Sequence, residues 1–252
     1  MKQILYACKD SKNGVNGLNF LLSNKEIKLR GCLITKECKI IREICKKNDI
    51  QIYDDENRHE IENDFEDASL DLIIAFSYPI KIEDFIIKKS KQAINYHPAP
   101  LPEYKGRGCP CQALYNGEKE WGGTFHILTS ELDGGAIIEK RYFKITPDLQ
   151  YGILLSDAAW NLGYEMLEEL VRNYLEMGTF SYVEQEKRGR YYSQRDLDEA
   201  RKINETDSAE VIEKKVKAFW FPPFEGAYIE RDGVHFSVIT NEMMREIKKK
   251  NE

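Results

Sequence analysis

The first hundred residues alternate between two kinds of segment, and that alternation limits the fold more than any other feature. Ile4–Ala7, Leu29–Ile34, Ile50–Tyr53, Asp71–Ser77 and Ala93–Tyr96 are short apolar or β-branched runs that read as strands. Between them lie helix-sized stretches. Asn16–Leu22 puts Leu18, Leu21 and Leu22 on one side of a helix, and Ile40–Cys45 opens a second that runs to about Asn48. Strands separated by helices imply βαβ units, and βαβ units build a parallel sheet with right-handed crossovers. Asp71–Ser77 is apolar almost throughout, as expected of a strand covered on both faces.

After His97 the texture changes. Residues 98–123 hold four prolines and five glycines, which predicts an ordered loop rather than the interior of an element. Thr124–Leu128 and Ala136–Phe143 read as strands flanking the turn Glu131-Leu-Asp-Gly-Gly135. Apolar residues from Leu155 to Tyr174 then recur every three or four positions, predicting a long helix from about Leu149 to Met177 with Gly178 as its stop. Domain 1–180 is followed by a small β-rich α+β appendage, 181–252. Its expected strands are Tyr182–Glu186, Arg190–Ser193, Ala227–Glu230 and Val234–Ile239. Asp207-Ser-Ala-Glu210 is a capping-box pattern opening a helix over Val211–Phe219, and Ile247–Glu252 is expected to fray.

Composition removes several classes of function. Apolar residues are 42% and charged residues 32% of the chain, an ordinary balance for a folded, water-soluble domain. Apolar runs such as Leu72–Phe76 are far too short to span a bilayer, and the N-terminus lacks signal-peptide character. A cytoplasmic protein with no membrane partner is expected. Cys8, Cys32, Cys38, Cys45, Cys109 and Cys111 are then expected as free thiols. Cys109-Pro-Cys111 is too tightly spaced for an ordinary zinc knuckle, and no metal is expected. The net charge is −6, and residues 181–252 carry 14 Lys/Arg against 15 Asp/Glu. A nucleic-acid backbone calls for a basic face, so no nucleic-acid partner is expected either.

Two segments carry chemistry. Asn95 and His97 are two residues apart, so on a strand they face the same side. They stand at the carboxyl end of a parallel strand, where open α/β sheets place their ligands. Pro98, Pro100 and Pro102 stiffen the exit. Asp133 lies in a Gly-rich turn, from which a carboxylate can reach a cleft; taken alone, an Asp-Gly turn is more often a surface turn.

Together, Asn95-Tyr-His97-Pro98, Leu101-Pro102 with Tyr104-Lys-Gly106, Gly123-Thr124 with His126, and Asp133 with Gly135 resemble the formyltransferases that use N10-formyltetrahydrofolate. The resemblance covers about residues 1–180 and rests on four separated motifs in order. It implies a Rossmann-like sheet, with Asn95, His97 and Asp133 as the catalytic centre. It also implies that the backbone near Tyr78, Ile80, Thr129 and Leu132 lines a pterin pocket. Acyl transfer to an amine needs a donor for the developing oxyanion, a proton route and a group that orients the imidazole. Asn95, His97 and Asp133 suit those roles in that order, with Asp133 acting on His97 directly or through a water. His126 is expected to be structural or to support the site from behind.

Among amines, the loop Cys8-Lys-Asp-Ser-Lys-Asn-Gly14 departs from the glycinamide ribonucleotide enzymes, and the near-neutral appendage departs from the transfer-RNA enzymes. Arg201-Lys-Ile203 and Lys217-Ala-Phe219 leading into Pro222-Pro-Phe224-Glu-Gly226 are similar to the sugar N-formyltransferases. That likeness implies a dTDP-linked amino sugar of the kind used in O-antigen and lipopolysaccharide biosynthesis. Lys9, Lys12, Lys105 and Arg107 are candidate phosphate contacts, and Tyr104 is a candidate hexose contact. Trp220 is a candidate base clamp or dimer contact, although the Phe219–Phe224 aromatics are more often a core. A homodimer is compatible with the appendage. The alternatives are a formyltransferase for another amine, a formyl-folate hydrolase, and a non-catalytic protein binding a metal through Cys109, Cys111 and His97 or binding a nucleotide.

Overall fold

A computed structural model describes residues 1–245; the Ile247–Glu252 tail lies outside the described residues. In chain order the elements begin with β1 (Lys2–Ala7), α1 (Lys12–Ser23), β2 (Ile27–Leu33), α2 (Ile40–Lys47), β3 (Ile52–Tyr53), α3 (Ile61–Asp64), β4 (Leu70–Ala75), α4 (Asp84–Ile87) and β5 (Ser90–His97). They continue with β6 (Tyr104–Gly106), α5 (Cys109–Asn116), β7 (Glu120–Ile127), β8 (Ile137–Lys144), α6 (Gly152–Met177), β9 (Arg190–Tyr192), α7 (Gln194–Arg201), α8 (Ala209–Ala218), β10 (Tyr228–Arg231) and β11 (Val234–Ser237). The chain forms two compact units, which interleave in sequence. The first comprises Met1–His97, Gly123–Arg141 and Trp160–Lys187; the second comprises Pro98–Gly122, Tyr142–Ala159 and Arg188 onward.

The first unit is built on a sheet in the order β3-β2-β1-β4-β5-β7-β8. Strands β3 through β5 are parallel, and β7 runs antiparallel to β5. This is the α/β, Rossmann-like sheet expected from the alternating runs. The central strands β1 and β4 are apolar from Ile4 and from Leu72 to their carboxyl ends, where both faces are covered. Ile4, Tyr6, Leu72, Ile74 and Phe76 face one core with Leu18 and Leu21 of α1 and Met166, Leu170 and Val171 of α6. Leu5, Ala7, Ile73 and Ala75 face the other, with Ile61, Ile82 and Ile86. Each fully buried aliphatic side chain contributes roughly 1.5–3 kcal/mol.

Strand order reverses between β1 and β4, which creates a switch point at their carboxyl ends. The chain is tightly held there. Ser11 caps α1 by accepting from the Gly14 N–H at 3.0 Å, and its hydroxyl lies 3.1 Å from that of Ser77. A Cβ on Gly14 would come within 2.4 Å of the Lys9 carbonyl oxygen, so that close approach requires glycine.

The second unit has two small cores. Ala99, Trp121, Leu155 and Phe219 belong to one, and Ile203, Val216, Ala227 and Met243 to the other. Strands β6 and β9 pair in parallel, and β10 and β11 pair as an antiparallel ribbon. Three expectations need correction. Residues 98–123 are not simply a loop, because they hold β6 and α5; Pro110 falls in the first turn of α5, where its missing N–H costs nothing. Tyr182–Glu186 is reduced to a single antiparallel bridge between Val183 and Ile137. The cap of α8 is Ser208 rather than Asp207, whose carboxylate instead takes the Lys215 ammonium at 2.7 Å.

Candidate active site

In the first unit, β5 and β7 set the geometry. Their register places Asn95 opposite His126 and His97 opposite Thr124. Paired residues share a face, and alternate residues along a strand do too, so all four side chains point the same way. Tyr96 and Phe125 point to the opposite face, where their rings pack 5.0 Å apart in the core.

The hydrogen bonds fix the orientation of Asn95. His126 Nδ1 lies 2.9 Å from the Ile127 carbonyl oxygen, which can only accept, so Nδ1 carries the proton. In the neutral ring Nε2 is then an acceptor, and the Asn95 Nδ2 amide donates to it at 3.0 Å. Asn95 therefore presents its amide nitrogen on this side, and one of its two N–H bonds is committed.

Asp133 enters from the turn between β7 and β8. Its φ of 53° is left-handed, a region that Asp tolerates better than most residues. The turn passes so close to β7 that a Cβ on Gly135 would lie 1.8 Å from the Ile127 carbonyl oxygen. Asp133 Oδ1 stands 3.6 Å from His97 Nδ1 and 3.8 Å from His126 Nε2. The side chains of His97, His126 and Asp133 are 9%, 2% and 7% exposed. The carboxylate therefore faces both imidazole rings in a patch shielded from water.

A cavity of about 570 Å³ adjoins this turn, walled by Ala93, Leu128, Thr129, Ser130, Gly135 and Tyr182. Ligand pockets commonly hold roughly 300–1,000 Å³. Gln92, also on its wall, has a buried Oε1 without a hydrogen-bond partner. Its wall combines the backbone of the Asp133 turn with apolar side chains and with the charged Lys91, Glu131 and Glu184. Tyr78 and Ile80 lie on the segment after β4. Burial raises the Tyr78 hydroxyl to about 12, against the opposing pull of Arg58. Leu132 is 46% exposed at the tip of the Asp133 turn.

Lys9 and Lys12 are exposed, on the loop after β1 and at the start of α1. The other substrate candidates belong to the second unit. Tyr104 is buried, its ring stacks on Tyr192 at 5.3 Å, and its hydroxyl donates to Glu118 at 2.8 Å. Lys105 and Arg107 are more open. Trp220 is half-buried against the core containing Ile203 and Val216. The cysteines proposed as metal ligands are buried, and burial raises the Cys111 thiol to about 12. Among the described residues no group of three or more His, Cys, Asp or Glu could hold a metal ion.

A family model described as formyl transferase matches residues 1–159. This chain belongs to the formyl transferase family. The formyltransferase is 27% identical over 185 residues to the GDP-perosamine N-formyltransferase of Brucella melitensis, spanning 70% of this chain and 67% of the relative. It is 28% identical over 165 residues to the methionyl-tRNA formyltransferase of Levilactobacillus brevis, spanning 65% of this chain and 51% of the relative. Its fold is similar to a 4-N formyltransferase from Francisella tularensis, with a TM-score of 0.79, 16% identity, and 95% and 97% of the two chains covered. It is similar also to the Helicobacter canadensis N-formyltransferase solved with folinic acid and dTDP-3-aminofucose, with a TM-score of 0.71, 18% identity, and 93% and 86% covered.

The structure places His126 beside the pair, with Nε2 3.0 Å from the Asn95 amide and 3.8 Å from Asp133 Oδ1. The signal for it was register: a histidine on the antiparallel neighbour, at the position facing Asn95.

Proposed function

We propose that this formyltransferase transfers a formyl group from N10-formyltetrahydrofolate to the amino group of a nucleotide-linked amino-deoxy sugar, with dTDP as the carrier. Catalysis is assigned to the first compact unit, and the enzyme works in the cytoplasm. The observation that carries this reading is the grouping of Asn95, His97 and Asp133 in one shielded polar patch at the end of β5. The sugar acceptor is supported by the GDP-perosamine relative, which is matched over about two thirds of both chains. The folate donor is supported by the Helicobacter canadensis neighbour, solved with folinic acid.

When bound, the donor supplies the formyl carbon as an electrophile attached to nitrogen. Asn95 uses its uncommitted N–H to donate to the acyl oxygen as charge builds there. His97 takes the proton lost by the attacking amine and returns it to the departing nitrogen. Asp133 stabilises His97 while it holds that proton. The backbone around Tyr78, Ile80, Thr129 and Leu132 holds the pterin, and Lys9 and Lys12 of the first unit are the cations assigned to the diphosphate. The Tyr104 ring is packed in a core and Trp220 lies half inside one, so neither enters the proposal.

The test is a turnover panel with formyl-folate and each acceptor in turn: dTDP-, GDP- and UDP-linked amino sugars, glycinamide ribonucleotide and methionyl-tRNA. Formylation of a dTDP-amino sugar with the highest kcat/KM is expected. Preference for a GDP-linked sugar would overturn the carrier assignment, and preference for either non-sugar amine would overturn the acceptor class.

A further inference from the structure

The segment after α6 straps the Asp133 turn in the first unit. Val183 and Ile137 exchange both backbone hydrogen bonds at 2.8 Å, so residues 183–185 run antiparallel to the exit of the turn. Tyr182 and Glu184 line the cavity. Gln185 faces the turn itself, and its Nε2 amide donates to the Asp133 carbonyl oxygen at 2.9 Å and to the Gly135 carbonyl oxygen at 2.6 Å.

We propose that Gln185 is a positioning residue for formyl transfer: its amide clamps two carbonyls of the Asp133 turn and so holds the carboxylate against His97. The proposal rests on the reading of the site given above. Asp133 keeps a left-handed φ, and Gly135 is pressed onto the Ile127 carbonyl, so the turn sits in a conformation its surroundings must enforce. The two carbonyls converge on one point, and satisfying both takes two N–H bonds in one plane. A terminal amide supplies those; a hydroxyl supplies one, and a thioether none. Without the clamp the carbonyls turn to water and Asp133 moves with them. Misplacement of a catalytic group by about 1 Å can cost on the order of 10²-fold in rate.

Two nearly isosteric variants test this. Gln185→Met keeps the length and loses both donors. Gln185→Glu keeps the shape and sets carboxylate oxygens against two carbonyls, and on protonation it regains one donor. Per folate-binding site, Gln185→Met is expected to lose about ten- to a hundredfold in kcat at every pH, with KM for the amine changed less than threefold. Gln185→Glu is expected to lose at least as much near neutrality and to recover part of it, relative to wild type, towards pH 5. Amide hydrogen exchange at Gly134–Ala136 should quicken in Gln185→Met under conditions where the cores stay protected. Kcat of Gln185→Met within twofold of wild type would overturn the proposal. So would equal losses in both variants at every pH with unchanged exchange at the turn, the pattern of a merely structural residue. If wild type formylates no amine in the panel, the reading of the site fails, and the exchange comparison still decides whether Gln185 holds the turn.

Discussion

Asn95 serves as a donor only because His126 is confined to one tautomer. The Ile127 carbonyl oxygen claims the proton on Nδ1, Nε2 becomes an acceptor, and the Asn95 amide must turn its nitrogen toward it. Removal of one donor to a developing oxyanion costs roughly 10²–10³ in rate. Asn95→Ala is therefore expected to fold, to lose at least a hundredfold in kcat, and to bind folate within a few-fold of wild type. Near-normal turnover of Asn95→Ala would remove Asn95 from the mechanism. At this scale the sequence was partly legible. The spacing of Asn95 and His97 correctly put both on one face of β5. The partnership with His126 depended on β5–β7 register, which no local pattern encodes. Gln185 was invisible because its partners lie about fifty positions away, and its neighbours carry no turn or cap signal.

At the scale of elements, the loop after β1 is fixed from outside itself. Lys39, the N-cap of α2, supplies no side-chain cap, and Asp10 takes that place by accepting the N–H bonds of Ile40 and Ile41 at 2.9 Å, with that of Lys39 as a third. Burial alone would raise the Asp10 carboxyl; the donors of Ile41, Ile40 and Lys39, with Arg42 nearby, outweigh it and hold the group below its ordinary value. A depressed folded-state value means that the stabilisation is complete above the unfolded-state pKa, about 3.9, and fades as pH falls through the lower folded value. Asp10→Ala should cost about 1–2 kcal/mol at pH 7, the usual worth of a helix cap. Urea unfolding from pH 7 to pH 3 should show the gap from wild type narrowing below about pH 4, for the same linkage reason. A gap that stays constant to pH 3 would mean that the charge on Asp10 is not what matters. The elements themselves were legible in proportion to burial. Ile4–Ala7 and Asp71–Ser77 could be placed from their apolar runs because both faces are covered. α5 was missed because Cys109-Pro-Cys111 reads as a break, although a proline is welcome in a first turn. α7 was missed because its capping box, Ser193 with Asp196, opens a mostly polar stretch with little apolar periodicity.

At the scale of the whole molecule, charge separates two acceptors that family membership leaves open. Relatives named for methionyl-tRNA and for GDP-perosamine match this chain at similar identity, so similarity alone does not choose between them. Transfer RNA is a polyanion, and a protein gains affinity for it by replacing condensed counterions with Lys and Arg, which leaves a steep dependence on salt. This chain has 37 Lys and Arg against 43 Asp and Glu, for a net charge of −6. Several cations are already spent within the second unit: Arg190 pairs with Asp196, Arg195 with Glu199, Lys217 with Glu213 and Lys202 with Glu230. A nucleotide diphosphate asks for far less, because a few local cations suffice. Unacylated methionine tRNA at micromolar concentration and about 50 mM salt should therefore leave sugar formylation unchanged, and tRNA binding should show almost no salt slope. The amino-sugar reaction should weaken only modestly as salt rises, because few charges are matched. Competitive inhibition by tRNA with a steep salt slope would mean that cations elsewhere on the surface form a basic track, and the acceptor would then be sought among aminoacylated RNAs.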